Sequence, residues 1–397
     1  MLMQAIDIKR IMFVALCFFT ALFAYAGVKS LIDSLKPADG LTGIYGQYVG
    51  RDFVFFYAAA KHAVTGNIAD LYANYWVNNT SGSIIPELGN QLLPEWGWLY
   101  PPHYLLLITP LGFLPYYYAL GLWLTVSLLL PAFVLWHFWK MRGGLWLAAV
   151  FNINVIYCLS MGQNALIFSA IAGMGIALLQ KRPLLAGVCF AVLSMKPHFA
   201  VLIPLALILG RYWQALLYTI ASILLLMAAT SLAFGWDVWA MAAAHFTSVK
   251  SVSLTSEIWF FSIYSTYRAL LEIGLPEIYA WYGYFLIAAL TLYGVVKVWR
   301  GENTLAEKWL AFAIAALLCS PYNLAYDSVW LALPAMVWLY QTLMQNRKLP
   351  LTVYILLAML IFAIAIISIG NYMAILLIIS SLVMLLLLDS PLDKAPD

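Results

Sequence analysis

Charge is what this sequence has least of. Only 9% of its 397 residues are Asp, Glu, Lys or Arg, and 65% are hydrophobic, where soluble domains run at about 25% charged and roughly 45–50% apolar. An ordinary soluble domain is excluded by that balance, and the chain reads as an integral membrane protein. A net charge of +3 leaves no basic stripe and no acidic tail, so nucleic acid is not an expected partner. The four cysteines, Cys17, Cys158, Cys189 and Cys319, stand singly in apolar runs with no CxxC pair; they read as small hydrophobes without a redox role. No P-loop, no strand-borne GxGxxG, no HExxH and no serine nucleophile elbow occurs, which disfavours a nucleotide-sugar donor. No loop gathers two or three carboxylates at ligand spacing, so neither a metal nor another cofactor is expected. There is no repeat of 20 to 50 residues and no low-complexity segment.

What the chain has in abundance is apolar runs of spanning length. Lys9 and Arg10 precede the first, 11–28; Lys140 and Arg142, Lys181 and Arg182, Arg211, Lys297 and Arg300, and Arg347 and Lys348 separate later pairs. Basic residues mark cytoplasmic loops, so these sites and the C-terminus fall inside. The expected architecture is a single all-α polytopic domain over 1–397 with about twelve spans, or roughly ten if the short runs 183–197 and 199–210 form a shallow hairpin. Ala24-Tyr25-Ala26 after a basic start also permits a signal peptide, although the first run exceeds the usual h-region.

Either reading leaves residues 31–102 outside. Within that loop, Asp52 precedes an apolar-faced stretch (Phe53, Phe56, Tyr57, Ala60, Val64) that stops at Gly66, which predicts an extracytoplasmic helix over 53–65. Lys61 and His62 fall on its polar face and read as solvated. A second outer loop, 235–276, carries an aromatic stretch from Trp236 to Phe246 expected to lie in the interface, with Asp237 as its cap. The remaining outer ends carry Tyr100-Pro-Pro-His103, Gly162-Gln163-Asn164, Lys196-Pro-His198 and Ser320-Pro-Tyr-Asn323 through Asp327. All converge on one side. Transporters and pumps place charged sites near the midplane; here almost no ionisable group lies inside a span, and the chemistry is expected at the outer surface.

Several blocks in this order resemble glycosyltransferase family 87, the polyprenol-phosphate-mannose-dependent mannosyltransferases. They are RDFVFFYAAAKHAVTGNIADLY, WLYPPHYLLLITPLGFLPYYYALGLW, GQNALIF, AGVCFAVLSMKPHFAVLIPLALILGRYWQALL, FFSIYSTYRAL and SPYNLAYDSVWLALP. The likeness runs from about residue 50 to 340. It implies a GT-C fold, a multi-spanning helical bundle with a large extracytoplasmic first loop, in the cell (plasma or inner) membrane with the active site on the extracytoplasmic face. It also implies a polyprenyl-phosphate-linked sugar donor and a lipid or glycan acceptor such as a glycolipid. A transporter or flippase of lipid-linked sugars is the alternative class.

Sugar transfer from a lipid phosphate needs a base for the acceptor hydroxyl, cations or dipoles for the leaving phosphate, and a greasy groove for the tail. In an inverting single displacement one carboxylate suffices as base. Asp52 is the candidate, in the position where the resemblance puts the catalytic Asp; its competing role is a helix N-cap, contributing about 1 kcal/mol. Lys196, which the topology puts outside, is a phosphate contact or a snorkelling side chain; His198 shares either role. Arg268 is a second phosphate candidate. Ser262, on the same stretch, is a weaker substrate contact. Gln163 and Asn164 are sugar-hydroxyl contacts or plain turn residues. Asp327, with Asn323 and Tyr322 beside it, orients the acceptor or caps the following run. Tyr100 and His103, at the Pro101-Pro102 turn, line the substrate site or, with Trp96 and Trp98, form an aromatic belt.

Overall fold

A computed structural model describes residues 27–44, 46–72, 98–253, 265–345, 349–363 and 372–388, with single positions besides. The first apolar run and Trp96 lie largely or wholly outside those residues, so the choice between first span and signal peptide does too. Helix dominates; the strands Pro37–Asp39 and Thr42–Gly43 form one small antiparallel hairpin in the first loop.

Four helical stretches among the described residues are long and apolar enough to cross a bilayer: Tyr116–His137, Gly143–Ser160, Trp213–Phe234 and Glu277–Arg300. Shorter apolar helices accompany them, including Ala165–Leu178, Pro183–Leu193, Pro197–Leu209, Leu351–Ile361 and Ala374–Leu387. The run 183–209 is thus helical but broken around Ser194–Lys196, where Pro197 cannot extend the preceding helix. Gly143–Ser160 is interrupted too, at Phe151–Asn152, and the break leaves backbone groups that lipid cannot satisfy. Asn152 closes it: its Oδ1 accepts from Asn154 N at 2.8 Å, and both Asn side chains donate to Ile361 O, at 2.9 and 2.6 Å.

Small residues set the helix spacing, as expected where lipid supplies no hydrophobic drive between helices. A Cβ on Gly187 would stand 2.5 Å from Tyr218 Cβ, and one on Gly173 would stand 2.5 Å from the Trp309 indole. Helix Pro183–Leu193 therefore lies hard against Trp213–Phe234, and the glycine at 173 admits a Trp309 ring stacked on Trp139 at 5.0 Å. On the outward side of Trp213–Phe234 the apolar chains are bare, Leu232 to 89%. Lipid is the solvent that tolerates such a face.

In the first loop, helix Phe53–Thr65 ends at Gly66 with φ 78°, the left-handed C-terminal conformation that glycine adopts without strain. It buries Phe53, Phe56 and Tyr57 and docks so tightly that a Cβ on Gly112 would sit 2.5 Å from Ala60 O. His62 is buried, with Nδ1 3.1 Å from Asn67 O, and Lys61 lies 5.3 Å over the Tyr57 ring. The polar face read as solvated is partly closed because the helix is covered on more than one side. The second loop carries helix Val238–Ser253.

Candidate active site

Two tight loops interlock to hold Asp52. Val49 O accepts from Tyr116 Oη at 2.5 Å, and the backbone then passes through two left-handed residues, Gly50 (φ 77°) and Arg51 (φ 46°). Glycine takes that conformation freely; arginine does so at a cost of about 1–2 kcal/mol, so surrounding bonds must impose it. They come from the second loop: Asp52 N donates to Met161 O at 3.1 Å. Gly162 (φ 63°) lies so close that a Cβ there would overlap Gly50 O, and Trp123 Nε1 pins Gly162 O at 2.9 Å. Gln163 Nε2 then reaches Asp52 Oδ2 at 2.7 Å.

The Asp52 carboxylate makes no capping bond to its helix, which removes the N-cap role. The first amides of that helix instead bond in tight turns, Phe53 N to Gly50 O at 2.9 Å and Val54 N to Arg51 O at 3.3 Å. Burial pushes the Asp52 carboxyl from an ordinary 3.8 up to about 6, opposed by the Gln163 hydrogen bond and the Arg51 charge. Such a group is ionised at neutral pH yet basic enough to take a proton, the compromise general-base catalysis requires.

Around this pair stand the other polar groups. Lys196 and Asp327, both 3% exposed, form an ion pair at 2.6 Å, and the Lys196 ammonium lies 4.8 Å over Phe199 and 5.4 Å over Tyr326. A snorkelling Lys196 is excluded by that burial. Asp327 does cap, but across a short 3-10 turn: its Oδ2 accepts from Leu324 N at 3.0 Å while Oδ1 holds the lysine. Burial raises the Tyr322 and Tyr326 phenols above their ordinary value, and the negative charges of Asp327 and Asp52 both add to it. The two tyrosines therefore lie within electrostatic reach of both carboxylates. His198 meets the Tyr322 ring edge-on at 6.4 Å, and its Nε2 is buried without a hydrogen-bond partner.

An aromatic wall closes one side. Tyr100 stacks on Tyr104 at 4.5 Å and meets Trp98 at a tilt at 5.0 Å, with Phe56 edge-on at 5.5 Å. Trp98 is 1% exposed, core rather than belt. Asn164 is fully buried behind this wall, its Nδ2 donating to Tyr104 Oη at 3.1 Å; it braces the tyrosines. His103 points elsewhere, its Nε2 2.9 Å from Ser194 Oγ. Because the Ser194 hydroxyl is committed to Ala191 O at 2.6 Å, the imidazole is the donor in that bond. Burial lowers its pKa to about 4, so it stays neutral beside Trp239, on which it stacks at 6.0 Å. Asn323 donates to Leu317 O at 2.7 Å, while its Oδ1 and Ser328 Oγ find no hydrogen-bond partner where the two residues line a small apolar cavity with Leu377 and Ser381.

Of the candidates named from the sequence, the structure thus gathers Asp52, Gln163, Asn164, Tyr100, Lys196, His198 and Asp327. Arg268 is engaged by Glu272 on its own helix at 2.9 Å, and Ser262 lies outside the described residues. Three contributors escaped the sequence reading: Arg51, Tyr104 and Tyr326. Only Arg51 carried a signal, as the residue between Gly50 and Asp52.

A lipid-facing helical body with a carboxylate, an ion pair and a row of tyrosines gathered together defines a membrane protein with a buried polar cluster. The chain belongs to glycosyltransferase family 87: that family's sequence profile matches residues 98–321, more than half of it. It is therefore a membrane glycosyltransferase. The matched stretch contains Gln163 and Lys196 but begins after Asp52 and ends before Asp327, so these carboxylates enter the site by contact with matched residues. No curated protein and no solved structure matches the chain.

Proposed function

We propose that this enzyme moves a hexose, mannose first among the candidates, from a polyprenyl-phosphate donor to an extracytoplasmic acceptor such as a glycolipid, in one inverting displacement. The observation that carries this reading is the Asp52 carboxylate, with its pKa raised to about 6 and one oxygen fixed by Gln163. No described residue donates to Oδ1, which is left for the acceptor hydroxyl. In the reaction the acceptor oxygen attacks the anomeric carbon, its proton passes to Asp52, and the bond from that carbon to the phosphate oxygen breaks. Polyprenyl phosphate departs without needing protonation.

Helix lengths support a lipid donor. Ala165–Leu178 and Pro183–Leu193 rise only about 21 and 16 Å at roughly 1.5 Å per residue, against ~30 Å of hydrocarbon. Gln163 and Lys196, at the ends of these helices away from the Lys181–Arg182 turn, lie within membrane depth in this reading. A donor can reach them sideways from the lipid. The transporter alternative gives way to the family assignment.

The test is transfer in membranes supplied with labelled polyprenyl-phosphate mannose and a glycolipid acceptor. Wild-type protein is expected to form product; Asp52→Asn, which keeps the shape and loses the base, is expected to lose turnover while still binding donor. Near-normal turnover by that variant rejects Asp52 as base, and a preference for another donor hexose rejects mannose. Lipid analysis of cells lacking the protein names the acceptor.

A further inference from the structure

Three cations were natural choices for the leaving phosphate, and the structure alters their standing. Lys196 is already neutralised by Asp327 at 2.6 Å, and Arg268 by Glu272 at 2.9 Å. A phosphate arriving at either must first displace a carboxylate. His198 stays available through one nitrogen but carries no assured charge.

Arg51 differs from Lys196 and Arg268 in that no carboxylate among the described residues stands at ion-pair distance from it. Its Nη1 touches only the Met161 thioether at 3.6 Å, a weak acceptor, and its Nε is buried with no acceptor at all. Arg51 is half-buried, and a buried guanidinium nitrogen without an acceptor is a cost that a bound anion would remove. The backbone fixes where that guanidinium starts: Arg51 is held at φ 46°, in the left-handed region that costs a side-chain-bearing residue energy. The strain follows from interlocking with Met161 and Gly162, the same contact that fixes Asp52. The helix start behind it offers no competing anion site, since its first amides are turned onto Gly50 O, Arg51 O and Asp52 O.

Resting on the proposed donor, we infer that Arg51 is the anchor for the donor's phosphate, its guanidinium holding the leaving group beside the base. A planar guanidinium whose Nε lacks an acceptor and whose Nη1 meets only a thioether suits a phosphodiester oxygen pair better than an ammonium does. Arg51 also helps keep Asp52 ionised. When the phosphate engages the guanidinium, part of that support is withdrawn, and Asp52 becomes a stronger base only once the leaving group is seated.

The experiment uses the full chain in nanodiscs and compares polyprenyl phosphate, polyprenol and inorganic phosphate as ligands by tryptophan quenching. Wild-type protein is expected to bind polyprenyl phosphate at least tenfold more tightly than polyprenol, with inorganic phosphate a weak competitor. Arg51→Met is expected to lose that preference, Arg51→Lys to keep part of it, and Asp52→Asn to keep all of it. Arg51→Met should fold normally, because it removes a buried donor that lacks an acceptor. In transfer assays its donor KM should rise, and the acidic limb of its pH profile should move upward as Asp52 loses a cation; Arg51→Lys should leave that limb in place. A preference for phosphate undiminished in Arg51→Met overturns the assignment alone. No preference in the wild type overturns the lipid-phosphate donor and the assignment with it, and equal binding of inorganic phosphate reduces the site to a general anion pocket.

Discussion

Asp52→Asn separates a capping carboxylate from a buried base by its effect on stability. If the carboxylate capped its helix, the amide, an equally good cap, would leave stability nearly unchanged. The structure gives a gain instead. The folded-state pKa is raised from 3.8 to about 6, so between those values the folded protein binds a proton that the unfolded chain releases. Stability in this window falls as pH rises, and above about pH 6 the full cost of burying the charge is present. A carboxyl raised that far carries a burial cost of ~3 kcal/mol, a ceiling because the residue is partly exposed. Asp52→Asn removes that cost. In detergent-solubilised protein followed by unfolding against pH, the variant is expected to exceed wild type by about 1–3 kcal/mol at pH 7.5, with the advantage vanishing near pH 4. The same pKa sets an acidic limb in the turnover of the wild type, which should fall about tenfold for each further step of one in pH below 6. A variant no more stable than wild type at pH 7.5 refutes the buried-base argument.

Gly162→Ala forces a Cβ into Gly50 O at φ 63°; the loops must part, and the expected result is loss of transfer with destabilisation of roughly 2–4 kcal/mol in chemical unfolding. Gln163→Leu removes the bond that lowers the Asp52 pKa, so the acidic limb of turnover is expected to shift upward together with a lower kcat, whereas a pure turn residue would leave the limb unmoved. Lys196→Met strands Asp327 in a site where both partners are 3% exposed. A cost of about 3–5 kcal/mol is expected, largely recovered in Lys196→Met with Asp327→Leu, and equal stabilities of the single and double variants would contradict that pairing.

The membrane class was readable because composition averages over the whole chain, and the end of the first-loop helix because Gly66 acts locally. Pairing was not readable. Asp327 lies 131 residues from Lys196, and nothing in the residues around Lys196 distinguishes a lysine that meets a carboxylate from one that reaches for headgroups. Gln163 looked like a turn residue and is one, since it follows a left-handed Gly162; that its amide also meets Asp52 depends on a contact between loops 111 residues apart. His62 shows the reverse error. Its place on a helical polar face is right, but a helix lodged between loop and bundle has no fully solvated face.

The pairing has a consequence for the proposed chemistry. Arg51 and Lys196 balance Asp52 and Asp327, so the cluster is neutral before substrate arrives. A lipid-linked phosphodiester brings one negative charge. On transfer it becomes a phosphomonoester with nearly two, while Asp52, having accepted the acceptor's proton, loses its own. Total charge in the cluster is unchanged across the step. In a medium where an uncompensated charge costs several kcal/mol, a base that sits beside the leaving group's cation lets the new negative charge form where an old one has just been quenched. Under the proposed mechanism, separating Asp52 from Arg51 forfeits that exchange, which gives base and anchor a physical reason to be adjacent residues.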